Sequence, residues 1–156
     1  MTMEHIARSF QVSLCVKHPH IDPARITAAL KLSPKRTMRA AAPRTTPRGD
    51  PLGGTYDFTY WTHKFDVKSA SELGVVLEDL VERLQKHKRF FHRIVREGGT
   101  VELFCGVFAA GNWDEVLSHT LMSQLAALRV DLRLDVYPKK DTAAKPVVTP
   151  HHKSAH

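Results

Sequence analysis

The chain has 156 residues, of which 42% are hydrophobic and 25% charged; this suits one globular domain whose core needs no metal or disulfide staple. Its apolar stretches are broken by charge well short of the roughly 20 residues a bilayer span requires, and Met1 to Arg8 carries Glu4, His5 and Arg8 with no apolar run behind it, so neither a membrane span nor a secretory leader is expected. A net charge of +7 favours an anionic partner without identifying one.

Residues Phe10 to Val16 alternate strictly between apolar and other side chains, the period of a half-buried strand. Asp22-Pro23 then reads as a helix start, with Asp22 as cap and Pro23 at the first helical position. Ile21 and Ile26 can staple that start. Ser33-Pro34 stops the helix.

Lys35 to Gly54 reads as a long irregular segment punctuated by Pro43, Pro47, Pro51, Gly49, Gly53 and Gly54. Tyr56 to Phe65 is expected to be a strand with aromatics on both faces. Ser69 and Glu72 have the spacing of a capping box. The helix behind them carries an apolar stripe, Leu73, Val76, Leu77, Leu80, Val81 and Leu84, which Phe91, Ile94 and Val95 continue. The spacing predicts one long helix, or two with a bend near His87, ended by Gly98-Gly99.

Thr100 to Phe108 is apolar on both faces and is expected to lie centrally in a sheet. Ser118 caps a third helical stretch with Leu121, Met122, Leu125 and Leu128 on its buried side. Leu132, Leu134 and Val136 alternate with Arg133, Asp135 and Tyr137 in a closing strand.

The expected order is β-α-β-α(α)-β-α-β. That predicts an α+β, two-layer sandwich with a four-stranded sheet and helices mainly on one face, a ferredoxin-like arrangement being one candidate. Residues 1–7 form an N-terminal extension, 8–138 a single domain, and 139–156 a disordered, basic, His-containing tail.

The opening strand followed by "HIDPARITAALKLSPKR", then "PRTTPRGDPLGGTYDFTYW", "GGTVELFCGVFAAGNW" and "LAALRVDLRLDVYP" succeed one another from about Phe10 to Tyr137. In this order and spacing the chain resembles the bacterial domain of unknown function numbered 4279. Ala40-Ala41-Ala42 departs from the pattern, since similar sequences often have glycine there. The resemblance implies a small intracellular domain and supplies no activity.

The chemistry-bearing residues point first to the basic segment. Arg36, Arg39, Arg44 and Arg48 are candidates to hold phosphate or carboxylate groups through guanidinium forks, with Tyr60 and Trp61 as a stacking wall. The plain alternative is that the arginines are solvated and both aromatics are core. Nucleic acid is a weaker expectation: Val101 to Phe108 lacks the basic, glycine-aromatic signature of RNA-binding strands, and no helix-turn-helix or zinc-finger spacing is present.

Scattered histidines without matching cysteines or carboxylates give no metal site and no cofactor is expected. No G-x-S-x-G, Walker, G-x-G-x-x-G or H-E-x-x-H pattern occurs, so no catalytic residue is assigned and an enzyme is disfavoured. Cys15 and Cys105, the two cysteines, sit in alternating apolar segments and read as buried thiols, which favours the cytoplasm. The expected function is a binding or interaction module for an anionic small molecule or an acidic protein surface. The alternatives are a nucleic-acid-binding accessory protein and an enzyme on a small anionic substrate.

Overall fold

The computed structural model describes residues 8–67 and 72–138. Strand β1 (Arg8–His18) lies at the centre of the main sheet. Phe10, Val12, Leu14 and Val16 are buried along one of its faces, as the period of two requires of a strand packed on that side. Helix α1 (Pro23–Leu30) starts where Asp22 accepts a hydrogen bond from the Ala24 N–H at 3.0 Å. It ends at Lys31, which takes a left-handed conformation (φ 53°).

The basic segment does not form the irregular loop its prolines and glycines suggest. It folds into three short strands: β2 (Arg36–Met38), β3 (Pro43–Thr45) and β4 (Pro51–Thr55). β2 joins the edge of the main sheet, while β3 and β4 pair only with each other as a projecting hairpin. That hairpin is closed by polar bonds between Thr46 and Asp50, and by Gly49 at φ 91°. Every residue of β3 and β4 is exposed, so no apolar alternation marks them in the sequence.

Strand β5 (Thr59–Phe65) follows. Helices α2 (Leu73–Leu84) and α3 (Lys88–Arg96) are separated by one 3₁₀ turn at Gln85–His87. Ser69, the expected cap of α2, lies outside the described residues. Glu72 occupies the cap position without a side-chain bond, and the free Gly74 N–H of the first turn donates instead to the Glu115 carboxylate at 2.8 Å. Strand β6 (Thr100–Ala109), helix α4 (His119–Leu128) and strand β7 (Val130–Pro138) complete the described chain. The expected extension 1–7 and tail 139–156 also lie outside the described residues.

The fold is α+β, but the sheet differs from the expected one. It has five strands rather than four, in the order β2-β5-β1-β6-β7, and it is mixed. β1 runs antiparallel to β5 and β6, whereas β6 and β7 are parallel. A ferredoxin-like arrangement therefore does not form: α2 and α3 stand where it would have a hairpin, and the connection through α4 allows β6 and β7 to run parallel. The core lies between one face of the sheet and the helices. Trp61, Leu103 and Val101 from the sheet meet Leu77, Leu80, Phe91, Ile94 and Leu121 from α2, α3 and α4.

Candidate functional site

The other face of the sheet carries the alternate residues, and the strand registers set them in rows. One row runs Met38, Tyr60, Lys17, Thr100 across β2, β5, β1 and β6. The next runs Arg36, Thr62, Cys15, Glu102, Asp131 as far as β7, and a third runs Lys64, Ser13, Phe104, Arg133. Side chains opposite one another in neighbouring strands lie about 4.5–5.5 Å apart at Cβ, so each row is a line of contacts.

These rows form the floor of an open groove of about 550 Å³, lined by Cys15, Lys17, Met38, Phe58, Tyr60, Thr100, Glu102, Phe104, Asp131 and Arg133. Phe58, in the turn before β5, forms one lip. The Lys17 ammonium lies 5.0 Å from the centre of the Phe58 ring, within cation–π range. Past this pair the surface dips again into a shallower concavity of about 330 Å³ against His18, Pro19, Asp57 and Gly98. On the far wall, Arg133 Nε meets Glu102 Oε1 at 3.2 Å.

The floor holds a thiol and a phenol. Tyr60 O–H donates to Cys15 Sγ at 3.7 Å. Burial pushes the Cys15 thiol up, with the Tyr60 hydrogen bond acting against it. Burial, then the bond to Cys15, pushes Tyr60 up to about 12. Both groups are protonated at neutral pH, so the pair offers hydrogen bonds rather than a thiolate nucleophile. Cys105 faces the core, where burial pushes it up to about 12.

The sequence candidates are dispersed by the fold. Tyr60 lines the groove. Arg36 stands beside it on β2, its guanidinium 4.0 Å from Met38 Sδ. Arg39 pairs with Asp22 at the start of α1, at 3.5 Å. Arg44 on β3 and Arg48 in the hairpin turn are exposed, and no carboxylate among the described residues pairs with either. Trp61 points to the opposite face from Tyr60, is fully buried, and donates from Nε1 to Thr27 Oγ1 at 3.0 Å. It presents no surface for stacking.

A family profile described as a domain of unknown function, DUF4279, matches residues 8–139. The chain belongs to this family. No curated protein and no solved structure matches it. The match takes in every strand and helix of the described residues of this DUF4279 domain, and so both walls of the groove.

Sequence reasoning missed Cys15, Lys17, Phe58, Glu102, Phe104, Asp131 and Arg133 as neighbours. The signal was half present. The period of two assigns Cys15 and Lys17 to the face opposite Leu14 and Val16, and Arg133 to the face opposite Leu132. Which strands then lie side by side, and in what register, is a tertiary property. Among the described residues of this DUF4279 domain, no three His, Cys, Asp or Glu side chains converge as a metal site. No helix among them is long and apolar enough to cross a membrane.

Proposed function

We propose that this DUF4279 domain is a small binding module whose contact surface is the groove on the open sheet face, and that its ligand is a small anion with a planar or apolar part. The observation that carries this reading is the juxtaposition of Lys17 with Phe58, Tyr60 and Phe104 in one concavity. No carboxylate among the described residues pairs with Lys17. Aromatic walls around a few polar groups are the usual make-up of a ligand site. The segment from Arg36 to Tyr60 supplies Met38, Phe58 and Tyr60, one wall of the groove, and keeps Arg36 at its margin.

Glu102, Asp131 and Asp135 share this face with Lys17, Arg36, Lys64 and Arg133. Interleaved acids oppose a long polyanion, whose affinity rests on continuous positive charge, and leave room for a compact one. Two free thiols, Cys15 and Cys105, support a reducing compartment, and we assign the domain to the cytoplasm on that ground.

Benzoate, phenyl phosphate and adenosine monophosphate, titrated into isotopically labelled protein and followed by amide shifts, test the reading. Binding should move the amides of Lys17, Tyr60 and Glu102 first. Lys17→Ala should weaken it about tenfold, the loss of roughly 1.4 kcal/mol. Shifts confined to the β3–β4 hairpin, or affinity unchanged by Lys17→Ala, would refute it.

A further inference from the structure

We propose that β7 is a homodimer interface, and that two chains join edge to edge through antiparallel β7–β7 pairing centred on Leu134. This inference does not depend on what the groove binds.

The strand is nine residues long and lies at the end of the sheet order, bonded to β6 on one side only. Among the described residues no strand pairs with its outer edge. Such an edge presents a row of free N–H and C=O groups, and monomeric proteins blunt it with inward-facing charges, bulges or short strands. β7 is neither short nor bulged, and its charges, Asp131, Arg133 and Asp135, all lie on the open face and none on the helix side, with Pro138 at its end. On the helix side it carries Val130, Leu132, Leu134 and Val136. Leu134 is 42% and Val136 49% exposed, although their neighbours on β6, Cys105 and Val107, are fully buried. The apolar row thus runs off the end of the core and leaves Leu134 and Val136 as apolar surface that a second chain would cover.

The charges of β7 identify the partner as a second copy. Val130 to Pro138 reads Val-Asp-Leu-Arg-Leu-Asp-Val-Tyr-Pro, with acids either side of a central base. A two-fold axis normal to the sheet keeps the open faces of both copies on the same side, so opposed residues must have the same parity. An axis at Arg133 would set Arg133 against itself and Asp131 against Asp135. One at Asp135 would oppose Asp135 to itself. One at Leu132 pairs opposite charges but leaves only Val130 to Leu134 overlapping. With the axis at Leu134 the whole strand overlaps. Arg133 then faces Asp135 of the other copy, twice, while Leu134 meets Leu134 and Leu132 meets Val136 on the helix side. Opposite charges directly across an antiparallel pair stabilise it, and like charges destabilise it. An isologous two-fold contact is also the commonest symmetry of soluble oligomers.

The donors and acceptors suffice. Arg133 uses Nε on Glu102 of its own chain, leaving its terminal nitrogens to reach across. Asp135 accepts the Tyr137 hydroxyl through one oxygen and keeps lone pairs free. Because Asp131 and Arg133 also line the groove, the second copy would bring its Tyr137 and Asp135 to the groove's outer lip.

Sedimentation velocity of the full chain tests this. The wild-type protein should sediment at twice the 17.6 kDa chain mass. Arg133→Asp alone and Asp135→Arg alone should each sediment as monomers, since each sets like charges opposite one another. Mixed in equal amounts they should form a heterodimer, because every acid at 133 or 135 of one chain then faces a base of the other. Leu134→Arg, which leaves the Glu102 pair intact, should be monomeric and gain nothing from mixing. A monomeric wild type overturns the proposal and leaves the edge to another occupant. A dimer indifferent to all three changes, or two folded single variants that do not associate when mixed, overturns it as well.

Discussion

His18 and Glu97 tie the end of β1 to the end of α3 through a hydrogen bond of 2.8 Å. His18 is almost fully buried, and its Nδ1 accepts from the backbone N–H groups of His20 (3.1 Å) and Ile21 (2.9 Å). An acceptor at Nδ1 leaves the ring proton on Nε2, which therefore donates to the Glu97 carboxylate. Arg93 Nε holds the other Glu97 oxygen at 2.8 Å. This contact holds together the two turns that carry Pro19, after β1, and Gly98, after α3, both of which line the shallower concavity.

The carboxylate at this junction sets an acid limit. The Arg93 hydrogen bond, then that of His18, pulls Glu97 down from 4.5 to about 2. A group with a folded pKa below its unfolded one contributes stability above the unfolded value and loses it as pH falls through the folded value. The midpoint of thermal unfolding should therefore fall between about pH 4.5 and pH 2. Glu97→Gln should flatten that part of the profile when circular dichroism melts are compared across it. Parallel profiles would show that another group sets the limit.

Thr27 and Trp61 form a polar bond inside the apolar layer. With Trp61 fully buried, Thr27→Val leaves the indole N–H without its acceptor and should cost about 1–3 kcal/mol in urea unfolding. Adding Trp61→Phe removes the stranded donor, so the double variant should lose less than the sum of the two single losses. Strict additivity would mean that the bond contributes nothing.

Trp61 also marks where the sequence can and cannot be read. The pleat alone sends Tyr60 and Trp61 to opposite faces, but with aromatics on both sides of β5 nothing local says which face is core. Elements with a local chemical cause were legible: the alternation of β1, the Asp22 cap, the Gly98-Gly99 stop, and Ser118, whose hydroxyl accepts from Leu121 N–H. β2, β3 and β4 were not, because their residues are largely exposed and they are held by turn bonds and by pairing with distant chain. The groove was illegible for the same reason. Its floor is made of residues up to 118 positions apart, from Cys15 to Arg133, and only the register joins them.

Gly99 is required by close approach. A Cβ there would stand 2.3 Å from the Lys17 carbonyl oxygen and 2.8 Å from Ile94 Cγ2. The carbonyl belongs to β1, so relief means shifting strand against helix. Gly99→Ala should cost about 1–3 kcal/mol, as overpacking does, and should broaden the amide signal of Lys17. At Gly111, where φ is 80° and nothing lies within 4 Å, the same change should cost only backbone strain of about 1 kcal/mol. Equal losses at the two sites would disprove the contact.

Cys15 and Tyr60 make the chemical state of the groove floor measurable. Only the thiolate alkylates readily. Burial raises the Cys15 thiol and the Tyr60 hydroxyl lowers it in part, so Tyr60→Phe removes the lowering influence and should raise the thiol further. Iodoacetamide should thus modify Cys15 slowly at mildly alkaline pH, and more slowly still in Tyr60→Phe, with the rate–pH profile displaced upward in pH. Cys105, pushed up to about 12 in the core, should stay unmodified until the protein unfolds. A ligand seated over the floor should protect Cys15 without touching Cys105. Faster alkylation in Tyr60→Phe would mean that the phenol shields the sulfur sterically and that the hydrogen bond has no part in setting its reactivity.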